Sequence, residues 1–80
     1  MQKFEVTTSI HGMPSLEVHN PTKEEAEILH SLIHCNWTDD IRYQLRTEAG
    51  AFLQSDHSDY ILVEFWKPTY QNLVTWLNAQ

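Results

Sequence analysis

The chain carries five histidines, and two of them raise the first chemical question. Glu27, His30 and His34 are spaced i, i+3, i+7, which on a helix puts all three off the apolar stripe. Imidazole and carboxylate both ligate zinc, and three protein ligands with one open position is the form of a catalytic zinc site. The spacing limits the idea, because Glu27 and His34 would lie about 10 Å apart along a helix axis, too far for one ion. His30 and His34 can share an ion at a surface site of modest affinity, with His11, His19 or His57 brought near by folding. The His-Glu-x-x-His signature is absent. The competing account is electrostatic: histidines in the last turn of a helix complement its dipole and stay solvated.

Other reactive groupings are weaker. Asp56-His57-Ser58-Asp59 holds the residue types of a hydrolase triad, but a triad converges from separate positions rather than from neighbours. The segment also lacks the ligand pattern of a calcium loop and reads as a polar loop entering a strand. Cys35 stands alone, which excludes an intramolecular disulfide and a thiolate-rich zinc site. His34 beside it points about 100° away on a helix, so Cys35 reads as a small apolar residue at a helix end. The two glycines, Gly12 and Gly50, are too far apart to build a phosphate-cradling loop. These negatives lead to the expectation of a protein that is not an enzyme and uses no cofactor.

The segment from Tyr60 to Trp66 is the most apolar in the chain, and it is apolar on both faces of a strand. Ile61, Val63 and Phe65 share one side; Tyr60, Leu62 and Trp66 share the other, interrupted by Glu64. Helices can cover one side only in a two-layer domain. The second side then either meets a partner or is covered by a helix that crosses to it. Aromatic residues dominate interface hot spots, so Tyr60, Leu62 and Trp66 are the expected anchors, with Trp37 and Trp76 extending the patch. Glu24, Glu25, Glu27, Asp39 and Asp40 would form an acidic rim.

These residues need elements to hold them. Lys3 to Ile10 alternates, with Phe4, Val6 and Ile10 on one side. His11-Gly12-Met13-Pro14 is a turn, and Leu16 and Val18 alternate again, so residues 2–19 read as a hairpin. Asn20 is suited to cap a helix and Pro21 to open it, giving a helix over 21–34 with Ala26, Leu29, Leu32 and Ile33 in one stripe. Thr38, Asp39 and Asp40 suit a helix start, and Ile41, Leu45, Ala49, Phe52 and Leu53 fall on one helical face. The spacing thus predicts a helix over 39–54 with Gly50 inside it at a cost of about 1 kcal/mol. The alternation of Ile41, Tyr43 and Leu45 supports the alternative, in which 41–54 forms strands meeting near Glu48-Ala49-Gly50. Residues 55–59 read as a loop and 60–66 as a strand. Pro68 opens a last helix that buries Tyr70, Leu73, Val74 and Leu77, with Trp76 at the margin.

The order β-β-α-α-β-α gives an α+β fold. An N-terminal hairpin and a C-terminal strand, in an antiparallel or mixed sheet, pack on two or three helices in two layers. Eighty residues make one such domain. No apolar run is long enough for a membrane span. The start Met1-Gln2-Lys3-Phe4-Glu5 has no long apolar stretch, so a reducing cytoplasm is the expected compartment. The net charge is −6 and the five basic residues are scattered, which disfavours a nucleic-acid partner. The functional expectation is a small cytoplasmic interaction module or regulator whose partner is a basic protein or a second copy of the chain. A metal-binding protein using His30 and His34 is the alternative.

Overall fold

The structure, a computed structural model, describes residues 4–80. Its elements are β1 (Val6–Thr8), β2 (Pro14–His19), α1 (Lys23–Ile33), α2 (Ile41–Ala49), β3 (Ala51–His57), β4 (Tyr60–Phe65) and α3 (Gln71–Asn78). The four strands form one antiparallel sheet in the order β1-β2-β4-β3. The fold is α+β, as the sequence indicates, with one strand more than the expected order.

The extra strand corrects the helix expected over 39–54. The helix stops at Ala49 because Gly50 adopts a left-handed conformation, φ +59°, and closes α2 with its N–H directed at the carbonyls of Arg46 and Thr47. From Ala51 the period becomes two. Ala51 and Leu53 pack toward the core, whereas Phe52 turns to the opposite face. The apparent helical stripe joining Ile41 to Leu53 was a coincidence of two periods across a glycine, and Ile41 is half exposed. The alternative of two strands over 41–54 holds only for the second of them, from Ala51 onward; Ile41–Ala49 is helix. Residues 55–57, expected as loop, complete β3; Ser58-Asp59 then forms the turn to β4, with His57 opposite Tyr60. A bulge at Gln54 interrupts the register between Leu53 and Ser55.

Other boundaries shift for local reasons. Thr22, rather than Asn20, caps α1: its hydroxyl accepts from Glu25 N–H while the Glu25 carboxylate accepts from Thr22 N–H, a capping box. Asn20 instead takes φ +51° and donates its N–H to Asp59 at 2.8 Å. Asp40, rather than Thr38, caps α2. Strand β4 ends at Phe65, and α3 begins at Gln71, three residues after Pro68. The first strand is shorter than the alternation suggested, and its expected start at Gln2 and Lys3 lies outside the described residues. Phe4 and Val6 do turn inward. Ile10, at the turn, is 93% exposed.

The core lies between the helices and one sheet face. Leu29 and Leu32 of α1, Leu45 and Ala49 of α2, and Leu73 and Leu77 of α3 close on Leu16, Ile61, Val63 and Phe65. Tyr70 stacks on Phe65 with ring centroids 5.3 Å apart and planes at 8°. The helices α1, α2 and α3 are all on this side, so among the described residues no helix crosses to cover the other. Among the described residues no helix is long and apolar enough to cross a membrane.

Candidate interaction face

Strand alternation fixes what the opposite face of the sheet displays. β4 contributes Tyr60, Leu62 and Glu64. Its cross-strand neighbours are His19, Glu17 and Ser15 on β2, and His57, Ser55 and Phe52 on β3. Trp66, just past β4, donates its N–H to Gly50 at 3.0 Å, which prolongs the β3–β4 pairing by one step. Its ring then lies beside Phe52, centroids 5.6 Å apart with planes at 32°. Trp66 is 73% exposed.

This face contains a buried carboxylate. Glu64 is 1% exposed, and its Oε2 lies 2.8 Å from His11 Nδ1. The carboxyl is held below its ordinary value, first by the Ser9 hydroxyl, then by the His11 hydrogen bond and charge, which together outweigh burial. An ionised carboxylate only accepts, so His11 must carry its proton on Nδ1. Ser9 also organises the β1–β2 turn, its hydroxyl accepting from the His11 N–H at 3.2 Å and the Met13 N–H at 3.4 Å.

At the other end of the face the Tyr60 hydroxyl donates to Glu17 at 3.2 Å, and the His19 ring packs 5.0 Å from Tyr60. Burial, followed by the negative charge of Glu17, pushes the Tyr60 hydroxyl up. Leu62 lies between these groups and is only 5% exposed. It belongs to the open face, but the side chains of that face and not a helix seal it, so it is no exposed anchor.

The remaining expected site residues are elsewhere. Trp76 is on α3 and packs against the core from the helical layer. Trp37 is 74% exposed, but in the connection between α1 and α2. Neither extends the aromatic patch. Glu24, Glu25 and Glu27 are on α1, with Asp39 and Asp40 before α2, so the acidic rim surrounds the helical layer and not the open face. Asp40 is occupied: it accepts from the Arg42 backbone at 2.8 Å and from the Arg42 guanidinium at 3.0 and 2.7 Å. Those bonds hold its carboxyl well below the usual range. The open face has acids of its own: Glu17 and Glu64, with Glu5 beside Glu17.

The other chemical candidates do not assemble. His30 Nε2 is 2.9 Å from Asp56 Oδ1 on β3, and its ring centroid is 6.1 Å from that of His34. Among the described residues no three of His, Cys, Asp and Glu gather as a metal site. Asp56 and His57 are consecutive in β3 and so project to opposite faces of the sheet, which prevents a triad there. Among the described residues, two hollows adjoin β1 and β2: one of about 150 Å³, lined in part by Phe4, Glu5, Glu17 and His19, and a shallower one of about 450 Å³ lined by Glu5, Val6, Thr7, Glu17 and His19. The first is small beside the ~300 Å³ at which small-molecule sites begin, and the second is open and mostly polar where such sites are concave and apolar.

Sequence reasoning missed Phe52 and His11. Restarting the alternation after Gly50 would have found Phe52. Glu64 was visible as the polar break in an apolar strand, and a buried acid demands a partner. No protein-family model matches the chain, nor does any curated protein or solved structure.

Proposed function

We propose that this chain is a small interaction module that docks a basic protein partner on the open face of its sheet. Phe52, Tyr60 and Trp66 are the anchors of that reading. The observation behind it is the Trp66 ring, 73% exposed, lying beside Phe52 on a sheet face that no helix covers. Burying a large aromatic side chain contributes roughly 1.5–3 kcal/mol, and Trp and Tyr are the residues most often found at interface hot spots. The net charge of −6 favours encounter with a basic partner. On this reading the protein works in the cytoplasm by binding, without catalysis and without a cofactor. The free, buried thiol of Cys35 suits a reducing compartment. With His30 bonded to Asp56, a metal-binding role has less support than docking.

The test is p-benzoylphenylalanine, a photo-crosslinking residue that keeps an aromatic ring where it is placed, put in the full chain at position 66, at position 52, or at position 27 on α1, and irradiated in lysate. A discrete adduct from 66 and 52, absent from 27 and lost when the position-52 probe is combined with Trp66→Ala, supports docking on the open face. Adducts of equal yield from both layers, or none, would overturn it. Light scattering across a concentration series separates a second copy of the chain from a different partner.

A further inference from the structure

The open face holds one group that the docking reading leaves unused, the Glu64 carboxylate. Glu64 sits on β4, an inner strand of the sheet, between Ser15 on β2 and Phe52 on β3. His11 Nδ1, 2.8 Å from its Oε2, and the Ser9 hydroxyl, which helps hold its carboxyl below the ordinary value, both come from the β1–β2 turn. That turn is closed by the Ser9 N–H to Met13 carbonyl bond, 2.8 Å, and by Gly12 N–H to Ser9 carbonyl, 2.9 Å. Gly12, at φ +76°, has open space where a side chain would stand. Its neighbour Ile10 is 93% exposed, and the His11 side chain is 45% exposed. The carboxylate is therefore buried under a thin, solvent-facing cover.

We propose that His11 is a displaceable placeholder, and that Glu64 beneath it is the docking point for an arginine side chain of the partner. The inference rests on the open-face docking reading and specifies what the partner brings. His11 offers the carboxylate one N–H bond, whereas a guanidinium offers two parallel ones in a planar fork that matches both carboxylate oxygens. The same plane can lie against an aromatic ring, and Phe52 stands directly across the strand pair from Glu64 with Trp66 beside it. Among the described residues no Lys or Arg is hydrogen-bonded to Glu64, and the single imidazole N–H there leaves room for a stronger cationic partner brought by another molecule. The eleven carboxylates against five basic residues bias encounters toward such a group.

The experiment is a heteronuclear NMR titration of the full chain with the blocked tripeptide acetyl-Gly-Arg-Gly-amide, and with its citrulline counterpart as a neutral isostere. The arginine peptide should shift the Trp66 indole and the Gly12 amide, and the citrulline peptide should not. His11→Ala should bind the arginine peptide at least about threefold more tightly, because the competing occupant is gone and the competent fraction rises. Glu64→Gln, checked for fold by its amide spectrum, should weaken binding by about tenfold or more. Equal or weaker binding by His11→Ala would overturn the placeholder role. Shifts confined to α1 near Glu24 and Glu27 would overturn the site. If crosslinking at position 66 succeeds while the arginine peptide leaves Trp66 unmoved, the subsite fails and the docking face stands. If crosslinking fails as well, both fail.

Discussion

Gly50 meets two demands that no other residue type meets together. Its φ of +59° closes α2, and a Cβ built there would stand 2.9 Å from Trp66 Cβ and 3.3 Å from the Lys67 backbone nitrogen. The left-handed conformation alone costs an L-residue about 1–2 kcal/mol, and the contact with Trp66 adds to it. Gly50→Ala should therefore destabilise the protein by about 2 kcal/mol or more, read as a lowered urea midpoint. It should also perturb the Trp66 indole resonance, since the two residues touch. A loss below about 0.5 kcal/mol, the size of an ordinary surface substitution, would show that the backbone relaxes freely.

Glu64 gives a second prediction at this scale. Its carboxyl is held below the ordinary value in the folded state by Ser9 and His11. A depressed acid contributes stability that is complete above the ordinary carboxylate range and is lost as pH falls through the folded value. The urea midpoint should thus fall with acidification between about pH 5 and pH 2. Glu64→Gln, which cannot ionise, should flatten part of that limb; an unchanged acid limb would contradict the assigned environment. Glu64 was visible in the sequence as a polar break in an apolar strand. Its partner was not, because His11 lies 53 positions away and only the sheet's strand order brings the turn over β4.

At the scale of elements, the sequence carried most strongly the segments whose signals are local. The hairpin, α1, β4 and α3 follow from periodicity and flanking Asn, Thr and Pro residues, with ends displaced by a residue or a few. The failure at 39–54 is also local in origin. A helix of nine residues followed by a strand of seven leaves each period few repeats, and the two happened to align. Gly50 was the residue that separated them, and it was read as a cost inside a helix when it marks the end of one. Strand order was not legible, because β4 pairs with both β2 and β3 through contacts that no spacing encodes. The same order predicts where protection lies. β4 is paired on both sides, whereas β1 is an edge of three residues. Native-state hydrogen exchange should find the slowest amides at Ile61–Phe65 and fast exchange at Val6–Thr8. Comparable rates in both would mean that the sheet opens only as a unit.

At the scale of the whole molecule, the two sheet faces divide the work. An 80-residue chain has a margin of roughly 4–12 kcal/mol at ~0.05–0.15 kcal/mol per residue, and its large core is all on the helical side. Leu77 is fully buried there, so Leu77→Ala should cost about 2–5 kcal/mol, a large share of that margin. Trp66 is 73% exposed, so Trp66→Ala should change stability by about 0.5 kcal/mol or less while removing the open face's largest exposed aromatic. Leu62 discriminates between the two faces. It is on the open side yet 5% exposed, so Leu62→Glu would bury a charge beside Glu17 and unfold the chain rather than abolish binding alone. Thermal unfolding of the three variants, paired with crosslinking from position 52, tests the division. Trp66→Ala should keep its melting temperature and lose the adduct, while the two leucine variants should lose both. A Trp66→Ala protein that melts as early as Leu77→Ala would place Trp66 in the stabilising core and withdraw the open face as a surface set aside for a partner.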